Sequence, residues 1–549
     1  MQQLELIYFS AVRFILPALA ILILIISVKT VLHHMKRKTL ARFAIENYEN
    51  VVEIKSAECM IGRSMLCDVR LKNPTVLKEH AVLTLTDDGF KLTPASRQAE
   101  VFVNNYRVDD EAYLQSGDRI RIGGSLLQIA VNPAINMKAS YKADHAQKQC
   151  RACNAVLLTL FQLLTVICYI LHSPKTALTT MAVFGAFMLL EWIYLPIRGF
   201  KSNVGVEIMA FFLTTVGLCV SASKSSELLI KQGVFFAVGL FAFIFMSLLL
   251  SHLGAVDKLR IPVMILAVLL FLYNCFFGTI VYGAKNWVSF FGFLFQPSEF
   301  IKVALVFVSA SALDKMLKMK NLITFLGFVF ICLLCLAYIR DFGAAAIYFA
   351  AMMVILCLRL CDIRVVLGLG GAALAGCLFI IRFIPYITDR FATYLHAWDY
   401  ASSGGYQQTQ TMMSIASGGL FGLGPGNGNL NRVFAADTDL VFGVISEEFG
   451  LLFSLCVVLC FVLYMVYASV SISRTRSIYY AVTASAASAI YLFQTTLNLF
   501  GSVDLLPLTG VTMPFISNGG SSMIASWMLL AFIKLGGSQY VVLRSKEAS

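Results

Sequence analysis

Polar and apolar positions along the chain fall into two regimes. From residue 153 onward, apolar runs recur near 153–172, 176–197, 204–222, 232–252, 260–283, 297–313, 321–338, 341–360, 364–384, 441–470, 478–501 and 515–538. Each is close to the ~20 residues that a spanning helix needs. One earlier run, "FILPALAILILIISVKTVL" at 14–32, is followed at once by "HHMKRK". Between them, from about 46 to 131, short alternating runs such as "AVLTLT", "EVFVNN" and "DRIRIGG" are separated by turn residues, the period-2 signature of strands. The pattern predicts a polytopic α-helical membrane protein, with about twelve helices after one N-terminal anchor helix and an inserted all-β sandwich. The expected domains are an anchor at 1–40, a β module at 46–131, and a multi-helix membrane domain at 150–540 with a long outer loop at 385–440.

Composition agrees with this division. Of 549 residues, 58% are hydrophobic and only 13% charged, and the mean hydropathy is +0.78, outside the range of a soluble domain. The net charge of +12 does not point to nucleic acid, because Lys and Arg sit in short segments between apolar runs and form no continuous basic face. Those segments instead set topology. "IRGFKS", "DKLR", "DKMLKMK", "LCDIR", "SISRTRS" and "LRSKEAS" fall in every second loop, which assigns them and the β module to the cytoplasm. No small-residue cleavage site follows the anchor, so it is expected to be retained. The 14 Cys are scattered through apolar runs as small hydrophobes, and Cys150 and Cys153 lack the second ligand pair of a structural zinc site.

Four polar signatures then converge on the predicted outer face: "GAKNW" with "FQPSEFIK" (283–302), "RDFGA" (340–344), "TDLVFGVISEEFG" (438–450) and "LLPLTGVTMPFISNGGSS" (505–522). In this order and topology they resemble the signatures of the SEDS (FtsW/RodA/SpoVE) family over roughly 260–540. The resemblance implies a peptidoglycan glycosyltransferase that polymerises lipid II at the outer face of the bacterial cytoplasmic membrane, partnered by a class B penicillin-binding transpeptidase. The family's essential aspartate lies in a TDF motif that Thr438-Asp439-Leu440 matches, so Asp439 is the expected catalytic residue. Two positions depart from the family: Asn518 stands where Tyr is usual, and Asn286 where Arg precedes Trp287.

The chemistry asks for a base to activate a sugar hydroxyl and for cations to hold a leaving diphosphate. Asp439, just ahead of an apolar run, suits the base. Lys302, Lys285, Arg340 and Arg390 are the candidate cations, with Glu299, Trp287, Glu448 and Ser517 as further substrate contacts. Each has a plainer reading: Arg340 could pair with Asp341, Lys302 with Glu299, and Lys285 could reach to headgroups. Glu447 and Glu448, one to two turns deeper, suit pairing with a neighbouring helix or lining a polar cavity. "PFISNGGSS" reads as a helix start with free amides for an anion or as a close-packing segment. A divalent cation on the diphosphate is compatible with this chemistry, but no metal site is assigned. A lipid II flippase or a scaffold that recruits wall synthases are the competing readings.

The β module has its own resemblance. "MIGRSMLCDVRLKNPTVLKEHAVLTLTDDGFKL" with "LQSGDRIRIGG" is similar to a forkhead-associated (FHA) domain, with Gly62-Arg63, His80 and Gly117-Asp118 on its skeleton. That resemblance implies a phosphothreonine reader. Here, however, Leu77 replaces the binding Ser, Lys78 the usual Arg, and Gln98-Ala99 the Asn-Gly of the second loop. Arg63 and Lys78 remain as phosphopeptide contacts, with phosphate-independent docking of a cytoplasmic regulator as the alternative.

Overall fold

The computed structural model describes residues 2–36, 39–46, 51–54, 58–63, 67–71, 73–86, 88–96, 98–133, 137–196, 204–251, 253–281, 284–290, 293–314, 319–360, 364, 367–371, 375–376, 393–472 and 478–536. Two compact units emerge: Met1–Val28 with Asn154–Gly537, and a second that holds Lys29–Cys153.

In the second unit, alternating side chains build a two-sheet sandwich. One sheet has the order β2-β1-β11-β10-β7-β8, from strands β1 (Ala41–Ile45), β2 (Val51–Ile54), β7 (Val101–Val103), β8 (Tyr106–Val108), β10 (Arg119–Ile122) and β11 (Ser125–Val131). The other has the order β4-β3-β5-β6-β9, from β3 (Glu58–Gly62), β4 (Val69–Arg70), β5 (Ala81–Thr86), β6 (Gly89–Pro94) and β9 (Ala112–Leu114). In β1, Ala41, Phe43 and Ile45 point inward while Arg42 and Ala44 face out, which is the pleat turned into a core face. Phe43, Ile61, Leu83, Phe90, Ile120 and Leu127 meet between the sheets. Asn104 and Asn105 take φ values of 51° and 72° at the β7–β8 hairpin, the left-handed pair that a tight turn with matching twist requires.

The first unit is a helix bundle. Its helices are α1 (Gln2–Lys36), α2 (Met137–His172), α3 (Ala177–Tyr194), α4 (Gly205–Lys224), α5 (Ser226–Leu250), α6 (Leu253–Phe277), α7 (Pro297–Asp314), α8 (Met319–Tyr338), α9 (Phe342–Leu360), α10 (Tyr406–Gly418), α11 (Val441–Phe449), α12 (Leu451–Ile472), α13 (Ile478–Ser502) and α14 (Gly520–Gly536). Among the described residues seven helices are long and apolar enough to cross a membrane: α1 to α6 and α12. Shorter apolar helices lie within α8, α9 and α14. The chain is an integral membrane protein. The run expected at 364–384 falls largely outside the described residues.

The expected single run at 441–470 is in fact two helices. Gly450, at φ 91°, separates α11 from α12, a backbone state that costs glycine little and other residues more. The connections between helices also carry structure of their own. A three-stranded sheet, β12 (Thr279–Val281), β13 (Ala284–Phe290) and β14 (Phe293–Phe295), follows α6. At the bundle centre α4 is buried along most of its length, and Trp527 of α14 packs edge-on against Phe211, Phe236, Phe243 and Phe515. In lipid such interlocking contacts, rather than expulsion of water, hold helices together.

Candidate active site at the aspartate turn

Asp439 closes a turn that leads from the Gly-rich segment 418–428 into α11. Its amide donates to Ala435 O at 2.9 Å, and its carbonyl accepts from Asn498 Nδ2 of α13 at 3.1 Å. Ser517 Oγ donates to Thr438 O at 2.6 Å and accepts from Met513 N at 2.8 Å. Asn518 donates from its amide to Asp437 O at 2.8 Å and from Nδ2 to Asp437 Oδ2 at 3.1 Å. Lys224, at the end of α4, donates to Asn431 O and lies 4.0 Å from Asp437 Oδ1. The turn is therefore held mainly through its backbone. The Asp439 side chain stays half-exposed, with Gly510 close enough that a Cβ there would stand 3.4 Å from Oδ2.

The other signatures meet the same region through hydrogen bonds. Gln296 N donates to Ser521 Oγ at 3.0 Å, which joins the start of α7 to the "SNGGSS" segment. Asp341 accepts from Ala344 N at 2.9 Å, Asn286 Nδ2 at 3.2 Å and Gln296 Nε2 at 3.5 Å. Its carboxyl is pushed up by burial, against the pull of the Ala344 and Asn286 hydrogen bonds. Lys302 and Glu299, one turn apart on α7, pair at 2.7 Å, and Lys302 also donates to Gln494 Oε1 at 3.1 Å. Gln494 and Asn498 are one turn apart on α13, so one helix face carries both the buried pair and the Asp439 carbonyl.

The remaining candidates are placed as follows. Lys285 donates to Cys275 O at 2.6 Å at the end of α6, where a cation meets the free carbonyls. Trp287 is half-buried on β13 and accepts through its carbonyl from Thr279 Oγ1 at 3.1 Å. Arg340 is exposed at φ 63°, and among the described residues no ion pair joins it to Asp341. Arg390 lies outside the described residues. Glu447 and Glu448 are buried and hold the Gly-rich segment ahead of the turn: Glu447 Oε2 accepts from Leu430 N at 2.9 Å, and Glu448 Oε2 from Gly426 N at 2.9 Å and Ser223 Oγ at 2.8 Å. The sequence reading passed over Asn498, Gln494 and Lys224. The signal for the first two was a polar i, i+4 pair inside an apolar helix. Among the described residues no group of three or more His, Cys, Asp or Glu side chains could hold a metal ion.

In the β module Arg63 is exposed, with Nη1 3.3 Å from Pro74 O and its amide on Leu77 O at 2.8 Å. His80 is buried, and its ring bridges Leu77 N and Glu100 O, each at 3.0 Å. It shapes the loop that carries Lys78.

Comparison with known proteins follows the same division. The family model for the FtsW/RodA/SpoVE cell cycle proteins matches residues 204–535, and that for the FHA domain matches 59–123. A probable peptidoglycan glycosyltransferase FtsW of Tolumonas auensis is 33% identical over 270 residues, covering 47% of this chain and 69% of that one. A probable peptidoglycan glycosyltransferase FtsW of Alcanivorax borkumensis is 28% identical over 358 residues, covering 60% and 91%. A chain of a peptidoglycan synthase complex superposes with a TM-score of 0.54 at 22% identity, covering 62% of this chain and 99% of that one. With its membrane helices and a family match over more than half its length, the chain belongs to the FtsW/RodA/SpoVE family and carries an FHA domain.

Proposed function

We propose that the protein is a peptidoglycan glycosyltransferase that polymerises lipid II at the outer membrane face, with Asp439 as the base that takes the proton of the attacking sugar hydroxyl. The single observation that carries this reading is the turn itself. Asn498, Ser517 and Asn518 hydrogen-bond the backbone of 437–439 and Asp437, so the turn that presents the half-buried Asp439 is held in place. Pre-positioning of this kind is what a general base needs. Arg340, exposed beside the half-buried Asp341, is the cation we assign to the diphosphate of the leaving lipid. Lys302 and Lys285 are committed to Glu299 and to the α6 terminus. A flippase has no need of a carboxylate on a braced turn at the rim.

A class B penicillin-binding transpeptidase is the partner we assign, supported by the fold match to a chain of a peptidoglycan synthase complex. The FHA domain belongs to the cytoplasmic side on this reading, because basic loops alternate along the chain, and it docks a cytoplasmic regulator. The test is strand growth from lipid II by the purified protein, with and without the transpeptidase. A flippase would move lipid II without lengthening glycan, and a scaffold would do neither.

A further inference from the structure

The family match begins at residue 204, so α1, α2 and α3 stand outside it. Two of them nevertheless grip the outer segment that runs into the aspartate turn. Tyr169, buried near the end of α2, donates its hydroxyl to Glu448 Oε2 at 3.1 Å and lies 3.0 Å from Ser223 Oγ. One turn on, the His172 ring sits against Gly426: a Cβ there would stand 3.3 Å from its Cδ2. From α1, the Phe14 ring packs on Phe421 with centroids 4.9 Å apart. Tyr8 OH ties α1 to α2 by donating to Leu164 O at 2.9 Å.

The gripped segment is linked step by step to the turn. Glu448 Oε2 also accepts from Gly426 N, and the backbone carbonyls of Glu447 and Glu448 accept from Leu423 N and Gly424 N, each at 2.9 Å. Asn431 donates to Ser223 O at 2.9 Å and accepts from Lys224, which faces Asp437. We infer that Tyr169 is a positioning residue for the transfer reaction: together with α1 it clamps the outer segment 420–432 through Glu448 and so fixes the Asp437–Asp439 turn. This rests on the assignment of Asp439 above. The clamp belongs to the two helices that bracket the FHA domain in the chain.

Tyr169→Phe tests this, because phenylalanine fills the same space and removes only the hydroxyl. Amide hydrogen exchange of the full chain in detergent, without substrate, should be at least about fivefold faster in peptides spanning 420–432 and unchanged in α12 and α13. In the polymerisation assay kcat should fall roughly tenfold while KM for lipid II stays within about twofold, as expected when the reacting group is displaced but the binding contacts remain. Phe14→Ala should raise exchange in the same peptides. Wild-type exchange in 420–432 for a folded Tyr169→Phe protein would overturn the inference, as would a rise spread evenly over the bundle. If the wild type itself does not polymerise lipid II, the functional reading fails while the exchange data still decide the clamp. Should Tyr169→Phe not fold, a Phe14→Cys/Phe421→Cys pair should crosslink in membranes with a short bifunctional thiol reagent. No crosslink would equally count against the clamp.

Discussion

Lys302 lies 2.7 Å from Glu299, and their side chains are only 4% and 11% exposed. With Gln494 taking a further hydrogen bond, the ammonium is committed inside the bundle and cannot reach a diphosphate without leaving a buried carboxylate alone. Removing one partner of such a pair costs about 3–5 kcal/mol, whereas replacing both with neutral groups of similar size is close to neutral. Lys302→Met should therefore destabilise strongly, and Glu299→Gln/Lys302→Met should melt within a few degrees of wild type. Because the pair is structural in this account, the double variant should also polymerise lipid II within about threefold of wild type. A double variant that is stable but inactive would return Lys302 to the substrate.

Asp341 gives the protein a pH dependence of definite sign. It caps α9 through Ala344 N, yet burial holds its carboxyl above the ordinary value of 3.8. An acid raised in the folded state binds more protons folded than unfolded. Its contribution to stability is thus present at low pH and is lost as pH climbs from the unfolded value through the folded one. Asp341→Asn keeps a capping oxygen and removes the titration. Thermal melts in detergent from about pH 4 upward should show a shallower decline for the variant than for wild type. Parallel profiles would mean that Asp341 is not the group responsible.

The FHA domain should read phosphate weakly. Leu77 stands where a hydroxyl would be needed, and its amide is engaged by His80 Nδ1. Ala99 is buried, with its amide on Ser96 O. What remains is exposed charge from Arg63 and Lys78, screened at physiological salt. A phosphothreonine peptide should bind less than about a hundredfold tighter than its unphosphorylated form at ~0.15 M salt, measured by titration calorimetry. A larger preference would make the domain a working phosphothreonine reader.

Much of this architecture was legible in the chain because membrane helices and alternating strands write their periods directly into the sequence. The runs at 297–313, 341–360 and 478–501 differ from α7, α9 and α13 by only a residue at either end. The break at Gly450 was not, since an apolar run continues through it and only the backbone conformation reveals the turn. The signatures marked Asp439 and Ser517 as neighbours in function. The Gln494–Asn498 face of α13, which joins the buried Lys302–Glu299 pair to the same turn, carries no motif and becomes visible only when Asn498 is found on the Asp439 carbonyl. The roles of Asn286 and Asn518, flagged as departures, follow the same logic: each amide donates to an aspartate, Asp341 and Asp437, in a contact that depends on packing.

The most direct test of the account is polymerisation of lipid II by purified Asp439→Asn protein, read as glycan strands on a gel beside wild type. Asparagine nearly preserves the volume of the side chain and leaves the Asn498 and Ser517 hydrogen bonds to the turn backbone in place, so the variant should insert and melt like wild type. Loss of a positioned general base costs on the order of 10²–10⁴-fold, so strands should be absent or faint at matched times. Wild-type strand length and rate from the folded variant would contradict the assignment of Asp439 as the catalytic base.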